Sequence, residues 1–220
     1  MKARTAPGGQ LAFDLDAMIH EADVQQAPAW EGAPLHFTAD YYQPDDLTAA
    51  FERWVFEHGN FGCLQRSHMW HPGYTTAEAN TATVGHELRI FDVDLRCTHY
   101  REDCSCVGGL LTRGICAPCR WHLDGDEATI VEAWHDHAWP GWRTLPVIPA
   151  SIAKTDDQNR PTKKCRAWID EHYPAEWQLP GAPVITERQP YGTRHVPGRS
   201  PWQGFDLSHT ALTTEPQEES

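Results

Sequence analysis

The chain has 220 residues and sets 31 Asp and Glu against 18 Lys and Arg, for a formal net charge of -13. That balance excludes a general binder of phosphate backbones, which needs a basic surface to displace counterions, so any nucleic-acid contact has to be local. Apolar residues make up 40%, but ten Trp, seven Phe and six Tyr supply bulk for an aromatic core, and no apolar run is long enough for a membrane span or a signal sequence. A cytoplasmic setting and no membrane partner are therefore expected.

Residues 1–35 mix Pro, Gly, Ala and acidic residues around one weakly amphipathic stretch, LAFDLDAMIHEA, and are expected to form a flexible tail that docks in part. In DDLTAAFERWVFEHGNFG an acidic N-cap, apolar Leu47, Phe51, Trp54 and Val55 on one face, and Gly59 as a stop predict a core helix over about 46–58. GHELRIFDVDLRC is β-branched and aromatic, but its alternation changes phase between Ile90 and Phe91. That predicts a strand that carries a bulge or is covered on both faces. VGGLLTRGIC reads as a second strand entering a turn at CAPC, and DEATIVEAWHDHAW as a helix that Pro140 and Gly141 terminate. RPTKKCRAWIDEHYP predicts a short helix with Cys165, Trp168, Ile169 and His172 on one face, and the stretch beyond residue 183 predicts a strand or hairpin followed by an extended segment. Residues 210–220 are an acidic tail with little to bury.

Five of the seven cysteines fall between Cys97 and Cys119, spaced Cys97-x6-Cys104-x-Cys106-x9-Cys116-x2-Cys119, with His122 three residues further on. In a reducing compartment such crowding favours metal over disulfides. A C-x2-C turn brings two thiolates to one side, and a second pair arriving from a neighbouring turn closes a tetrahedron. Cys104, Cys106, Cys116 and Cys119 are thus the expected zinc ligands, with Cys97 or His122 as replacements. The same thiolates suit an iron–sulfur cluster, although the spacing matches none of the usual ferredoxin runs. A site filled by four thiolates has no open position for substrate, which points to one structural ion.

EAWHDHAWPGWR places His135, Asp136 and His137 among three Trp. On a helix His135 and His137 stand about 200° apart and cannot share an ion; in an extended chain they can. The triplet is the candidate catalytic group should the protein be a metal-dependent nuclease. His68, His71, His86 and His99 read as structural. Arg113, Arg120, Lys163 and Lys164 predict a small basic patch with Trp121 available for stacking, a candidate surface for a nucleic acid or a nucleic-acid-handling protein. No phosphate loop and no nucleophile elbow occur.

FERWVFEHGNFGCLQRSHMW, the cysteine run with CAPCRWH, EAWHDHAWPGWRTLPVIP and SPWQGFDLSH together resemble an uncharacterised domain-of-unknown-function family of actinobacteria and their phages. The resemblance covers about residues 36–209 and implies an actinobacterial or phage origin and an intracellular setting, but no activity. The expectation is therefore a single α+β domain over 36–209, in which a zinc-stabilised β-hairpin module, about 86–142, packs with several short helices. Its expected role is a non-catalytic zinc-binding interaction protein that contacts nucleic acid or a host protein handling it. The alternative is the nuclease.

Overall fold

The computed structural model describes residues 4–5, 11–12, 15–58, 67–81, 84–97, 108–188 and 192–209. It is a mixed α+β structure. After a two-stranded ribbon, β1 (Arg4–Thr5) and β2 (Leu11–Ala12), come helices α1 (Leu15–Gln26) and α2 (Pro44–His58). The main antiparallel sheet runs in the order β3 (His71–Thr81), β4 (Val84–Asp94), β5 (Leu110–Cys116), β6 (Trp121–Gly125). Helix α3 (Glu127–Ala138) follows, then β7 (Val147–Ile148), α4 (Lys163–His172), β8 (Val184–Thr186), β9 (His195–Val196) and β10 (Asp206–Ser208). These last strands form a second sheet of order β7-β8-β10-β9, with β7 and β10 parallel to β8 and β9 antiparallel to β10.

The local chemistry explains the helix ends. Asp126 accepts a hydrogen bond from Thr129 N at 3.1 Å, and Thr162 accepts one from Cys165 N at 3.4 Å; each satisfies an amide that the first helical turn leaves open. The expected tail holds a 12-residue helix, α1, and residues 210–220 lie outside the described residues.

Of the two explanations for the phase change in β4, coverage on both faces is the one realised. Leu88 and Ile90 enter a core with α3, α4 and the second sheet, while Phe91 and Val93 enter another with Leu47, Ala50 and Trp54 of α2. The irregularity in the ladder lies instead in β3, where the register shifts between Pro72 and Thr76. The layers are therefore α2, the main sheet, and then α3 with α4 and the second sheet.

Arg113 corrects an expectation. It is 0% exposed and so does not line a surface. Its guanidinium donates to both carboxylate oxygens of Asp124, at 2.6 and 2.7 Å, and to the carbonyls of Asp40 and Ala39, at 2.9 and 3.1 Å, and lies 4.5 Å from the centre of the Trp70 ring. A planar fork held by these four hydrogen bonds ties the chain before α2 onto the main sheet.

Candidate metal centre

The turn after β5 sets the geometry. Cys116 is the last residue of β5, Ala117–Cys119 form a single 3-10 turn with Pro118 near its start, and Arg120 takes a left-handed conformation (φ 54°) that lets β6 begin at Trp121 opposite Cys116. Both thiols are thereby turned toward the face shared with α3. His86 arrives from β4, on the same side of the strand as Leu88 and Ile90, as a period of two requires. His137 arrives from the last turn of α3.

One ligand atom from each of His86, Cys116, Cys119 and His137 lies within 4.8 Å of all the others, and this group could hold a metal ion. His86 Nδ1 is 3.4 Å from Cys119 Sγ and 3.6 Å from Cys116 Sγ. A tetrahedral ion with metal–sulfur bonds near 2.3 Å and metal–nitrogen bonds near 2.0–2.1 Å separates a sulfur from a nitrogen by about 3.6 Å. The pocket is thus close to the dimensions of a two-cysteine, two-histidine site. His137 adds a second indication, because its Nε2 is buried and has no hydrogen-bond partner among the described residues. A buried nitrogen in that condition is costly unless something binds it.

The electrostatics favour the same use. Burial holds the His86 imidazole below its ordinary pKa, and burial followed by the neighbouring His86 does the same to His137, so both offer lone pairs at neutral pH. Burial and then the adjacent Cys116 push the Cys119 thiol up, so a cation has to displace its proton. Trp121 covers the His137 ring, with centroids 5.3 Å apart and planes 10° from parallel, and His86 meets His137 edge-on at 4.9 Å.

Only part of the expected ligand set is in this group. Cys116 and Cys119 belong to it, whereas Cys104 and Cys106 lie outside the described residues. The expected replacements, Cys97 and His122, are not members; His122 is exposed on β6, with its ring 5.3 Å from that of Tyr41. The two candidate histidine ligands were invisible as such in the sequence, because His86 is 30 residues from Cys116 and His137 is 18 beyond Cys119. The usable clue was face parity, with His86, Leu88 and Ile90 at alternate positions of one strand.

The three residues of the HDH triplet diverge. His135 is fully buried, donating through Nδ1 to the carbonyl of Val131 at 2.6 Å, and packs against Trp134, Trp142 and Phe205. Burial pushes its pKa down to about 4. Asp136 instead accepts from Trp142 Nε1 at 2.7 Å and from Arg143 at 2.9 and 3.0 Å. Only His137 turns to the cysteines, as the helical spacing requires. The expected basic patch is dispersed as well. Arg113 is buried, Trp121 lies on His137, Arg120 stands 5.4 Å over the Tyr41 ring, and Lys163 and Lys164 are exposed in the first turn of α4.

The molecule is thus an α+β protein in which two cysteines and two histidines from a sheet, a turn and a helix converge on a site that could hold a metal ion. The chain belongs to a family of unknown function, DUF6349, whose model matches residues 32–217. No curated protein and no solved structure matches it. Among the described residues no helix is long and apolar enough to cross a membrane.

Proposed function

We propose that the chain is a non-catalytic interaction protein whose scaffold is held by one structural zinc ion at His86, Cys116, Cys119 and His137. The observation that carries this is the convergence of four ligand atoms within 4.8 Å from β4, the end of β5, the turn after it, and α3. Two thiolates and two imidazoles suit zinc in both softness and geometry, and four protein ligands fill its tetrahedron. An ion so enclosed contributes folding energy and has no coordination position for substrate. Among the described residues Cys116, Cys119 and Cys165 form no disulfide, which suits a reducing compartment, so we place the protein in the cytoplasm, that of the host if a phage of actinobacteria encodes it.

A net charge of -13 and the burial of Arg113 favour a protein partner over a nucleic acid. The nuclease alternative lacks equivalent support, since His135, Asp136 and His137 point to three different surroundings.

Metal analysis of the purified chain tests the reading. About one zinc per chain is expected, and Cys119→Ser and His137→Ala should each abolish retention. Zinc at 1,000 times its dissociation constant stabilises by about 4 kcal/mol, so stripping it should lower Tm by roughly 10 °C. Absence of zinc, or retention in both variants, would sink the metal assignment. Cleavage of DNA or RNA by the zinc-loaded protein with Mg²⁺ or Mn²⁺ would overturn the non-catalytic role.

A further inference from the structure

Helix α1 buries none of its residues. Five large apolar side chains are exposed among the described residues, and three of them stand on this helix: Leu15, Met18 and Ile19, at 66%, 44% and 60%. Their i, i+3, i+4 spacing sets them along one stripe. Phe56 of α2 meets α1 on another side, through His20, with ring centroids 5.6 Å apart and nearly perpendicular, so it does not cover the stripe. Isolated exposed apolar residues need no explanation, but a cluster of this kind marks a contact surface. Twelve residues are also too few to hold a helix in water on their own. The helix lies ahead of the stretch matched by the family model, which begins at residue 32.

Charge narrows what can cover the stripe. The charged residues of α1 are Asp16, Glu21 and Asp23, with no Lys or Arg, and Arg53 beside Phe56 is already paired with Glu57 at 2.6 Å. An anionic membrane surface and a phosphate backbone both repel such a helix. A second copy would bring like charges together in a chain of net charge -13.

We propose that α1 is a docking helix, which lays the Leu15, Met18 and Ile19 stripe into an apolar groove on a partner protein whose rim carries Lys and Arg. This rests on the interaction-protein reading and names the partner's chemistry. Apolar anchors would supply the affinity, and the three carboxylates would set the orientation and a salt-dependent on-rate.

The test places a photo-cross-linking benzophenone side chain at Met18 of the full-length protein in its native cell, with a second preparation carrying it at Arg120. Cross-linked species are identified by mass, and the purified partner is titrated with the unlabelled chain. The expected result is one discrete protein captured from Met18. A Leu15→Ser, Ile19→Ser double variant should raise its Kd at least about tenfold with Tm unchanged, since neither residue is buried, and Asp16→Asn with Glu21→Gln and Asp23→Asn should flatten the salt dependence. Capture of a second copy, of lipid, of nucleic acid or of nothing at Met18 would overturn the inference, as would a partner indifferent to either set of substitutions. A partner captured from Arg120 alone would sink the docking helix and leave the interaction-protein reading standing, while zinc content reports separately on the metal assignment.

Discussion

Trp121 lies flat against His137, with ring centroids 5.3 Å apart and planes 10° from parallel. An imidazole bound to a dication carries part of its positive charge, and an indole face stabilises such a ring by about 1 kcal/mol. Trp121→Ala should therefore weaken zinc binding by roughly five- to tenfold, and Trp121→Phe by less, as measured by competition with a chromophoric chelator. Equal affinity in all three proteins would show that the stack is packing alone.

Arg113 should behave as a buried tie. Removing it exposes no surface but leaves the Asp124 carboxylate and the carbonyls of Ala39 and Asp40 without their donor. Asp124, Ala39 and Asp40 are exposed enough for water to replace the lost donor, so Arg113→Ala is expected to cost about 2–3 kcal/mol in urea denaturation, from lost packing on Trp70 and lost charge-assisted hydrogen bonds. Arg113→Lys should recover little, because an ammonium cannot reproduce the planar fork. A loss below about 1 kcal/mol would contradict the role assigned to the fork.

His135 gives the fold a defined sensitivity to acid. Its pKa in the folded chain is about 4, lowered first by burial, with His195 and Arg143 acting in the same direction and Asp136 and the Val131 carbonyl opposing them. The unfolded chain takes up this proton near pH 6.5, so between about pH 6.5 and 4 the unfolded state binds more protons and stability falls as pH falls. The contribution is on the order of 3 kcal/mol, fully present above about pH 6.5 and lost by about pH 4. A cation bound at the neighbouring candidate site would push the imidazole in the same direction, so the sign holds with or without metal. His135→Gln should flatten the stability profile over this window; an unchanged slope would refute the assignment.

Gly181 joins the two sheets at close range. Its φ is 84°, its N–H donates to the Trp202 carbonyl at 2.8 Å, and a Cβ there would collide with the carbonyl oxygen of Glu78 on β3. Gly181→Ala should cost at least about 2 kcal/mol by thermal denaturation. A neutral result would mean that the two sheets can separate locally without penalty.

The elements were legible in the sequence where local chemistry determines them. The helices beginning at Glu127 and Lys163 carry caps and apolar spacing within a few residues, and the strand entering the CAPC turn follows from its composition and turn residues. Helix α2 begins at Pro44, so the expected caps Asp45 and Asp46 fall in its first turn, and β6 after the CAPC turn was not foreseen. The candidate metal site was half legible. Cys116 and Cys119 are a local pair, but His86 and His137 join them only because β4 pairs with β5 and α3 packs across that sheet, relations no window of sequence contains. Arg113 misled for the same reason: a basic residue counts as surface until Asp124 and Trp70 arrive from other segments to enclose it.

β4 has a consequence for how the molecule comes apart. Because Leu88 and Ile90 belong to one core and Phe91 and Val93 to the other, neither core can melt without stripping one side of the same strand. The two halves are not modules that can be excised and studied separately. Unfolding should register as one transition by every probe, and a fragment ending inside β4 should be insoluble rather than half-folded.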